Sequence, residues 1–119
     1  MTNNTINKSN KSESENVISL EEFIRMVGDE GPRLWETSLW PQMVDIVRTS
    51  MLAAQPSISQ KNNSIGLYGF DIIPDNTRKL WLLEVNKCPT METTNPATAK
   101  LVPEFLEAFL DLILEGNVR

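Results

Sequence analysis

The chain has no histidine, one cysteine, one tyrosine and only five glycines in its 119 residues. Without histidine there is no imidazole to serve as a base near neutral pH, and no His-ligated zinc site. A single cysteine, Cys88, excludes an internal disulfide and fits a reducing compartment. With no evident general base near it in sequence, Cys88 reads as structural rather than nucleophilic. No run of 18 apolar residues occurs, so no membrane span is expected. The N-terminal stretch MTNNTINKSNKSESENVIS has no apolar h-region and is not a secretory signal. Basic residues are in short supply too. Eleven Lys and Arg against 16 Asp and Glu leave a net charge of −5, which argues against a nucleic-acid groove. The length suits one small domain, soluble and intracellular.

What is present begins with a polar segment, residues 1–18, rich in Asn, Ser, Lys and Glu and read as loop or tail. Ser19 and Glu22 have the spacing of a capping box, which predicts a short helix with Phe23, Ile24 and Val27 on one face and Gly28 as its stop. A longer helix is predicted from Trp35 or Ser38 to Ala54. Leu39, Met43, Ile46, Val47 and Met51 recur along it at helical spacing, and Pro41 falls in its first turn. SIGLYGFDII (64–73) and LWLLEVN (80–86) read as strands, and PDNTRK (74–79) as the turn that joins them. A last helix is expected from about Pro96 to Glu115, with Asn95 as N-cap; Pro103 should kink it or mark its true start. Residues 116–119 are left as a tail. The fold class is therefore α+β, an antiparallel hairpin packed against helices. Trp35, Trp40 and Trp81 are expected to carry much of the burial.

The hairpin places polar residues where its pattern calls for core. Alternation puts Leu82, Glu84 and Asn86 on one face of the second strand and Trp81, Leu83 and Val85 on the other. A loop of Asn76 to Lys79 would set Asp75 opposite Leu80, Ile73 opposite Leu82, Asp71 opposite Glu84 and Gly69 opposite Asn86. Two facing carboxylates repel, and burial would cost them hydration. A divalent cation relieves both difficulties. Mg²⁺ takes hard oxygens, and Asp71, Glu84 and Asn86 supply two carboxylates and an amide. Gly69 would allow a ligand or backbone to approach closely. The alternative is that Asp71 and Glu84 simply face solvent on a half-exposed sheet.

LYGFDII followed by WLLEVNKCPTM resembles the C-terminal part of the tubulin–tyrosine ligase-like family, whose pattern here is Y-G-x-D, a short hairpin, then W-L-[IL]-E-[IV]-N-x-x-P. The match covers Tyr68, Gly69, Asp71, Trp81, Leu82, Leu83, Glu84, Val85, Asn86 and Pro89. TNNTINK is similar to the family's T-N segment, and LWPQMVDIVRTSMLAAQ to the helix before the hairpin. PTMETTNPATAKL resembles the glycylase-like branch. Lys87 and Cys88 depart from it, standing where those relatives often carry small residues.

The resemblance implies the C-terminal portion of an ATP-grasp fold over residues 19–115. It implies Asp71, Glu84 and Asn86 as Mg²⁺ ligands holding the ATP phosphates, with Thr2, Asn3, Leu83, Glu84 and Asn86 at the nucleotide. The reaction implied is ATP-dependent ligation of an amino acid, glycine by branch, to glutamate carboxylates of tubulin through an acyl-phosphate. The implied partners are tubulin tails, ATP and a free amino acid. The implied location is the cytoplasm, on microtubules and in cilia or flagella. The glutamylase or tyrosine ligase branch, or an inactive partner-binding remnant, is the alternative. The upstream lobe that would supply basic residues and the adenine pocket is missing, so the chain is expected to be a fragment, inactive alone.

Overall fold

The computed structural model of the chain describes residues 17–59, 61–62 and 64–115. These fall into two compact units: Ile24–Pro89 is one, and the described residues up to Phe23 together with those from Thr90 onward are the other.

Helix α1 spans Leu20–Val27. Ser19 caps it as its sequence implies: the Glu22 amide donates to Ser19 Oγ at 3.1 Å. Gly28 ends the helix at φ +85°, a conformation only glycine adopts without strain. Three residues on, Gly31 is buried, and a Cβ there would run into the Ile24 carbonyl oxygen. The turn after α1 therefore depends on a glycine at this point.

The second helical run starts earlier than predicted. Helix α2 covers Gly31–Leu34, a π-helical turn covers Trp35–Leu39, and α3 covers Trp40–Ala54, with a 3₁₀ turn at Gln55–Ser57. Pro41 accounts for the interruption. It has no amide hydrogen for the Thr37 carbonyl, and in a regular helix its ring would press on that group; the wider π turn just upstream gives it room. The Trp35 and Trp40 rings meet across this turn with centroids 5.8 Å apart.

Strands β1 (Tyr68–Pro74) and β2 (Leu80–Lys87) form a two-stranded antiparallel sheet. β1 begins four residues later than its β-rich composition suggested. The predicted register is right at one end and off by one at the other. Asp71 faces Glu84 and Gly69 faces Asn86, but Ile73 faces Trp81 rather than Leu82, and Leu80 faces Pro74 rather than Asp75. The ladder takes up one extra β2 residue, Leu83, between the rungs Asp71–Glu84 and Ile72–Leu82. That bulge reconciles a five-residue turn, Asp75 to Lys79, with the facing carboxylates.

Helix α4 spans Pro96–Leu114 and runs unbroken through Pro103, so its start is Pro96 and not the inner proline. Asn95 caps it in a reciprocal box: Thr98 N donates to Asn95 Oδ1 at 2.9 Å and Asn95 N to Thr98 Oγ1 at 3.3 Å. Within the same unit, Lys100 Nζ reaches Glu21 Oε1 at 3.1 Å.

The core is small. Leu39 (4% exposed) and Leu80 (6%) are the buried hydrophobic side chains among the described residues. Two of the three tryptophans do not carry the burial expected of them: Trp40 is 54% and Trp81 50% exposed, while Trp35 is half-buried. Trp81 instead supports the turn, with its indole N–H on Asp75 Oδ2 at 2.8 Å and Lys79 Nζ 4.1 Å above its ring.

Candidate functional site

Four positions of the hairpin form a patch: Gly69 and Asp71 on β1, Glu84 and Asn86 on β2. Pairing alone brings them together, since Gly69–Asn86 and Asp71–Glu84 are alternate rungs of one ladder. Side chains at directly opposed positions stand about 5 Å apart at Cβ. All four residues are half-buried, whereas Trp81, Leu82, Leu83 and Val85 are exposed. Within β2, Glu84 and Asn86 are thus more covered than the apolar residues beside them from Trp81 to Val85. Asn86 Nδ2 donates to Glu84 Oε1 at 3.2 Å, which ties the amide to the carboxylate.

Gly69 has a local reason. A Cβ there would sit 3.1 Å from the Pro89 Cβ, so the close neighbour that the sequence pattern called for is the chain's own proline. Pro89 follows Cys88, whose φ of +57° turns the chain back at the end of β2. The Cys88 amide closes that turn on the Leu67 carbonyl at 3.2 Å.

The donor set suits a hard cation. With Nδ2 engaged by Glu84, the Asn86 amide still has its carbonyl oxygen to offer beside two carboxylates. Among the described residues, no three or more His, Cys, Asp or Glu side chains gather as a full metal cage. A cation on this hairpin would therefore rest on Asp71, Glu84 and Asn86 and complete its shell with water or phosphate oxygens, as Mg²⁺ habitually does. Leu83, the bulge residue beside Glu84, is 60% exposed. Thr2 and Asn3, the other expected nucleotide contacts, lie outside the described residues. A hollow of about 380 Å³ lined by Arg48, Met51, Leu52, Gln55 and Ile58 contains none of the expected site residues.

Two residues around the patch were not singled out by sequence reasoning. Asp75 organises the hairpin turn. Its Oδ1 accepts from Thr77 N (2.8 Å), Thr77 Oγ1 (2.6 Å) and Lys79 N (3.1 Å), and its Oδ2 accepts from the Trp81 indole. The bonds from the Thr77 hydroxyl, then from Trp81, hold its carboxyl far below the ordinary carboxylate range. The run P-D-N-T carried that signal, because an aspartate two residues before an amide commonly closes an Asx turn. The other is Gln42 on α3. Its Oε1 accepts from Leu80 N at 3.0 Å, and its Nε2 donates to the Arg78 carbonyl at 3.1 Å. No local pattern announces a contact spanning nearly forty residues.

Comparison with known proteins agrees with this arrangement of motifs. The model of the tubulin-tyrosine ligase family matches residues 1–118. "Tubulin glycylase 3D" of Tetrahymena thermophila is 30% identical over 125 residues, covering 97% of this chain. "Protein monoglycylase TTLL8" of Mus musculus is 31% identical over 98 residues, or 82% of the chain. "Tubulin monoglycylase TTLL3" of Danio rerio is 35% identical over 82 residues, or 69% of the chain. The chain spans about 12% of the length of the first two of these relatives and 11% of the third. No solved structure matches it significantly.

Proposed function

The chain belongs to the tubulin-tyrosine ligase family, and on that footing we propose that it is the metal- and phosphate-holding part of an ATP-dependent ligase that joins an amino acid, glycine by its likeness to the glycylases above, to glutamate side chains of tubulin. The fold that this reading assigns is the C-terminal portion of an ATP-grasp domain. The reading rests most on the opposition of Asp71 and Glu84, half-buried with Asn86 bonded to Glu84.

In the proposed reaction the γ-phosphoryl group of ATP passes to a glutamate carboxylate, giving an acyl-phosphate and ADP. The amine nitrogen of the incoming amino acid then attacks the acyl carbon. Phosphate leaves, the amine loses a proton, and an isopeptide bond forms. Bound Mg²⁺ would supply charge neutralisation for the phosphate oxygens. Asp71, Glu84 and Asn86 hold their oxygens in place for it, and Leu83 offers an apolar surface beside them. No side chain of this chain has to act as a nucleophile, in keeping with the lack of histidine. The names of the relatives supply the choice of glycine and of tubulin, and microtubules of cilia or flagella are the corresponding location. Because the chain corresponds to about an eighth of those relatives, its own share of the work is the hairpin, and glycine transfer is not expected of it in isolation.

Mn²⁺ provides the test, as a paramagnetic stand-in for Mg²⁺. In an amide NMR spectrum of the chain, substoichiometric Mn²⁺ should broaden the signals of Asp71, Glu84 and Asn86 first, and excess Mg²⁺ should restore them. Asp71→Asn and Glu84→Gln should each abolish the selectivity. Broadening spread evenly over exposed acids such as Glu92, Glu104 and Glu107 would sink the metal reading. Incorporation of radiolabelled glycine into tubulin by the chain alone, dependent on ATP, would show that its share is larger than the hairpin.

A further inference from the structure

The hairpin face that carries Asp71 and Glu84 has one more rung toward the end of β2. It is Gly69–Asn86, about 7 Å farther along the strands. Both rungs lie on the same side of the bulge. A cross-strand neighbour normally gives a side chain something to pack against. Opposite Asn86 there is a glycine, and β2 ends one residue later at Lys87. Neither the opposing strand nor the next alternate position of its own strand supplies a packing partner. Several rotamers would be open to an amide so placed. Asn86 is nonetheless half-buried and turned to Glu84, whose Oε1 accepts from its Nδ2 at 3.2 Å.

Pro89 supplies the missing packing. The space that a Cβ at residue 69 would take is flanked by the Pro89 ring, with its Cβ at 3.1 Å and its Cγ at 3.8 Å, and by Asn86 Cβ at 3.8 Å. The ring stands in for the absent cross-strand side chain and is half-buried. The chain must turn sharply at the end of β2 to bring it there. Cys88 makes that turn at φ +57°. A left-handed backbone is unfavourable for a residue with a Cβ, and a following proline favours extended backbone instead. The bond from Cys88 N to the Leu67 carbonyl, 3.2 Å long, holds the turn closed. Costly backbone persists where the surrounding structure enforces it, and such places cluster at functional sites. Here its result is a proline ring laid on the cation face. Gly69 completes the fit, because a Cβ 3.1 Å from the ring could not be accommodated unless the ring gave way. The glycine and the proline are two halves of one contact.

We infer that Pro89 is a positioning residue for the cation site: seated on Gly69, it closes the space beside Asn86 and keeps that amide turned to Glu84. Its role toward a cation rests on the metal reading above. The seating of Asn86 rests on the register, the Asn86–Glu84 bond and the Gly69–Pro89 fit alone. Pro89 touches neither the cation nor the phosphates. Its effect is on ordering, since an Asn86 side chain free to swing over Gly69 would have to be gathered in before it could ligate, at a cost in affinity.

The test uses the 119-residue chain with Pro89→Ala, Gly69→Ala and the two together. Pro89→Ala removes the ring and opens the space beside Asn86. Gly69→Ala drives a methyl group against the ring and displaces it. In the double variant the new methyl group at 69 fills the opened space, and a chain no longer stiffened by the ring can make room for it. Three-bond couplings across χ1 of Asn86 report its rotamers without metal. Mn²⁺ broadening, at a temperature where each variant keeps the wild-type circular dichroism, gives the dissociation constant. Wild type should show one dominant Asn86 rotamer, and either single substitution should give averaging. Each single substitution should raise the Mn²⁺ constant about tenfold, the scale on which outer-shell partners of a metal site act. The double variant should recover to about threefold above wild type, whereas losses from unrelated destabilisation would add. Should Gly69→Ala prove unfolded, Pro89→Ala decides alone by the same two readouts. One Asn86 rotamer with an unchanged Mn²⁺ constant in Pro89→Ala, or losses that merely add in the double variant, would overturn the inference while leaving the metal reading standing. A wild-type chain without selective Mn²⁺ binding, whose Asn86 still averages in Pro89→Ala, would overturn the metal reading and with it the role of Pro89 at a cation site.

Discussion

At the scale of single residues, the backbone at Cys88 and the pairing of Glu21 with Lys100 each have a measurable consequence. Cys88 holds φ +57° with its side chain exposed, so it bears the strain of a left-handed conformation and gains little packing in return. Removing its Cβ should relieve about 1–2 kcal/mol, less the 0.4–1 kcal/mol or so by which a glycine loosens the unfolded chain. Cys88→Gly should therefore stabilise Ile24–Pro89 by about 0.5–1 kcal/mol in urea unfolding, and Cys88→Ala, which keeps the Cβ, should not. A Cys88→Gly chain no more stable than Cys88→Ala would show that the strain is absorbed elsewhere. Glu21 is held at about 2, well below its ordinary 4.5, first by a backbone hydrogen bond and next by Lys100. Lys100 is raised above its ordinary value by the same partner. The depressed carboxylate contributes stability that is complete above about pH 4.5 and is lost as pH falls through about 2. The raised ammonium contributes stability that is complete below about 10.5 and is lost as pH climbs past its raised value. Both groups are exposed, so 1 M salt should weaken the link. A carbon-detected titration should find the Glu21 carboxyl midpoint near 2 at low salt and closer to 4.5 in Lys100→Met. A midpoint of 4.5 in the unaltered chain would remove the interaction from solution.

At the scale of elements, capping and turn residues were the most readable. Ser19, Gly28 and Asn95 do what their residue types imply, because a cap is decided by a few neighbouring atoms. The facing of Asp71 and Glu84 was legible too, since strand alternation and a turn of roughly known length bracket it. The bulge was not, because Leu83 looks like any strand residue and only the five-residue turn betrays it. The π turn before Pro41 escaped for a similar reason: the proline predicts disturbance but not which of several adjustments relieves it. Pro103 is the clearest case in which the continuity of a helix overrides a local rule. It lies inside α4, where it leaves the Ala99 carbonyl without an amide hydrogen from the next turn. An interior proline costs a helix about 3 kcal/mol relative to alanine. Pro103→Ala should thus raise the thermal midpoint of α4, followed by far-UV circular dichroism, and slow exchange of amides around Ala99 and Glu107. An unchanged midpoint would mean that the surrounding residues already compensate for the proline.

At the scale of the whole molecule, a hydrophobic content slightly low for a packed domain goes with a very small buried interior among the described residues. Forty per cent of the residues are hydrophobic, yet only Leu39 and Leu80 are buried hydrophobic residues among those described. The apolar stripes that sequence periodicity detects on α3 and α4 are real, but periodicity says only that a face is apolar and not what covers it. Leu101, Leu112 and Ile113 on α4 are thus exposed stripe residues. Two compact units with so little buried between the atoms of each have a thin basis for all-or-none unfolding. The residues themselves provide separate reporters. Trp35, Trp40 and Trp81, the only tryptophans, all lie within Ile24–Pro89, so indole fluorescence follows that unit alone. Far-UV circular dichroism follows the helices of both units and is weighted by the 19 residues of α4. The two signals should give different midpoints and broad transitions in urea, with the slope of each smaller than a 119-residue two-state domain would show. If Mg²⁺ binds as proposed, a saturating concentration should shift the fluorescence midpoint upward and leave the α4 transition where it was, since the proposed ligands Asp71, Glu84 and Asn86 all lie in Ile24–Pro89. Superimposable curves, moving together with Mg²⁺, would instead mean that the chain folds as one cooperative body and that its stability comes from contacts other than the few buried side chains described.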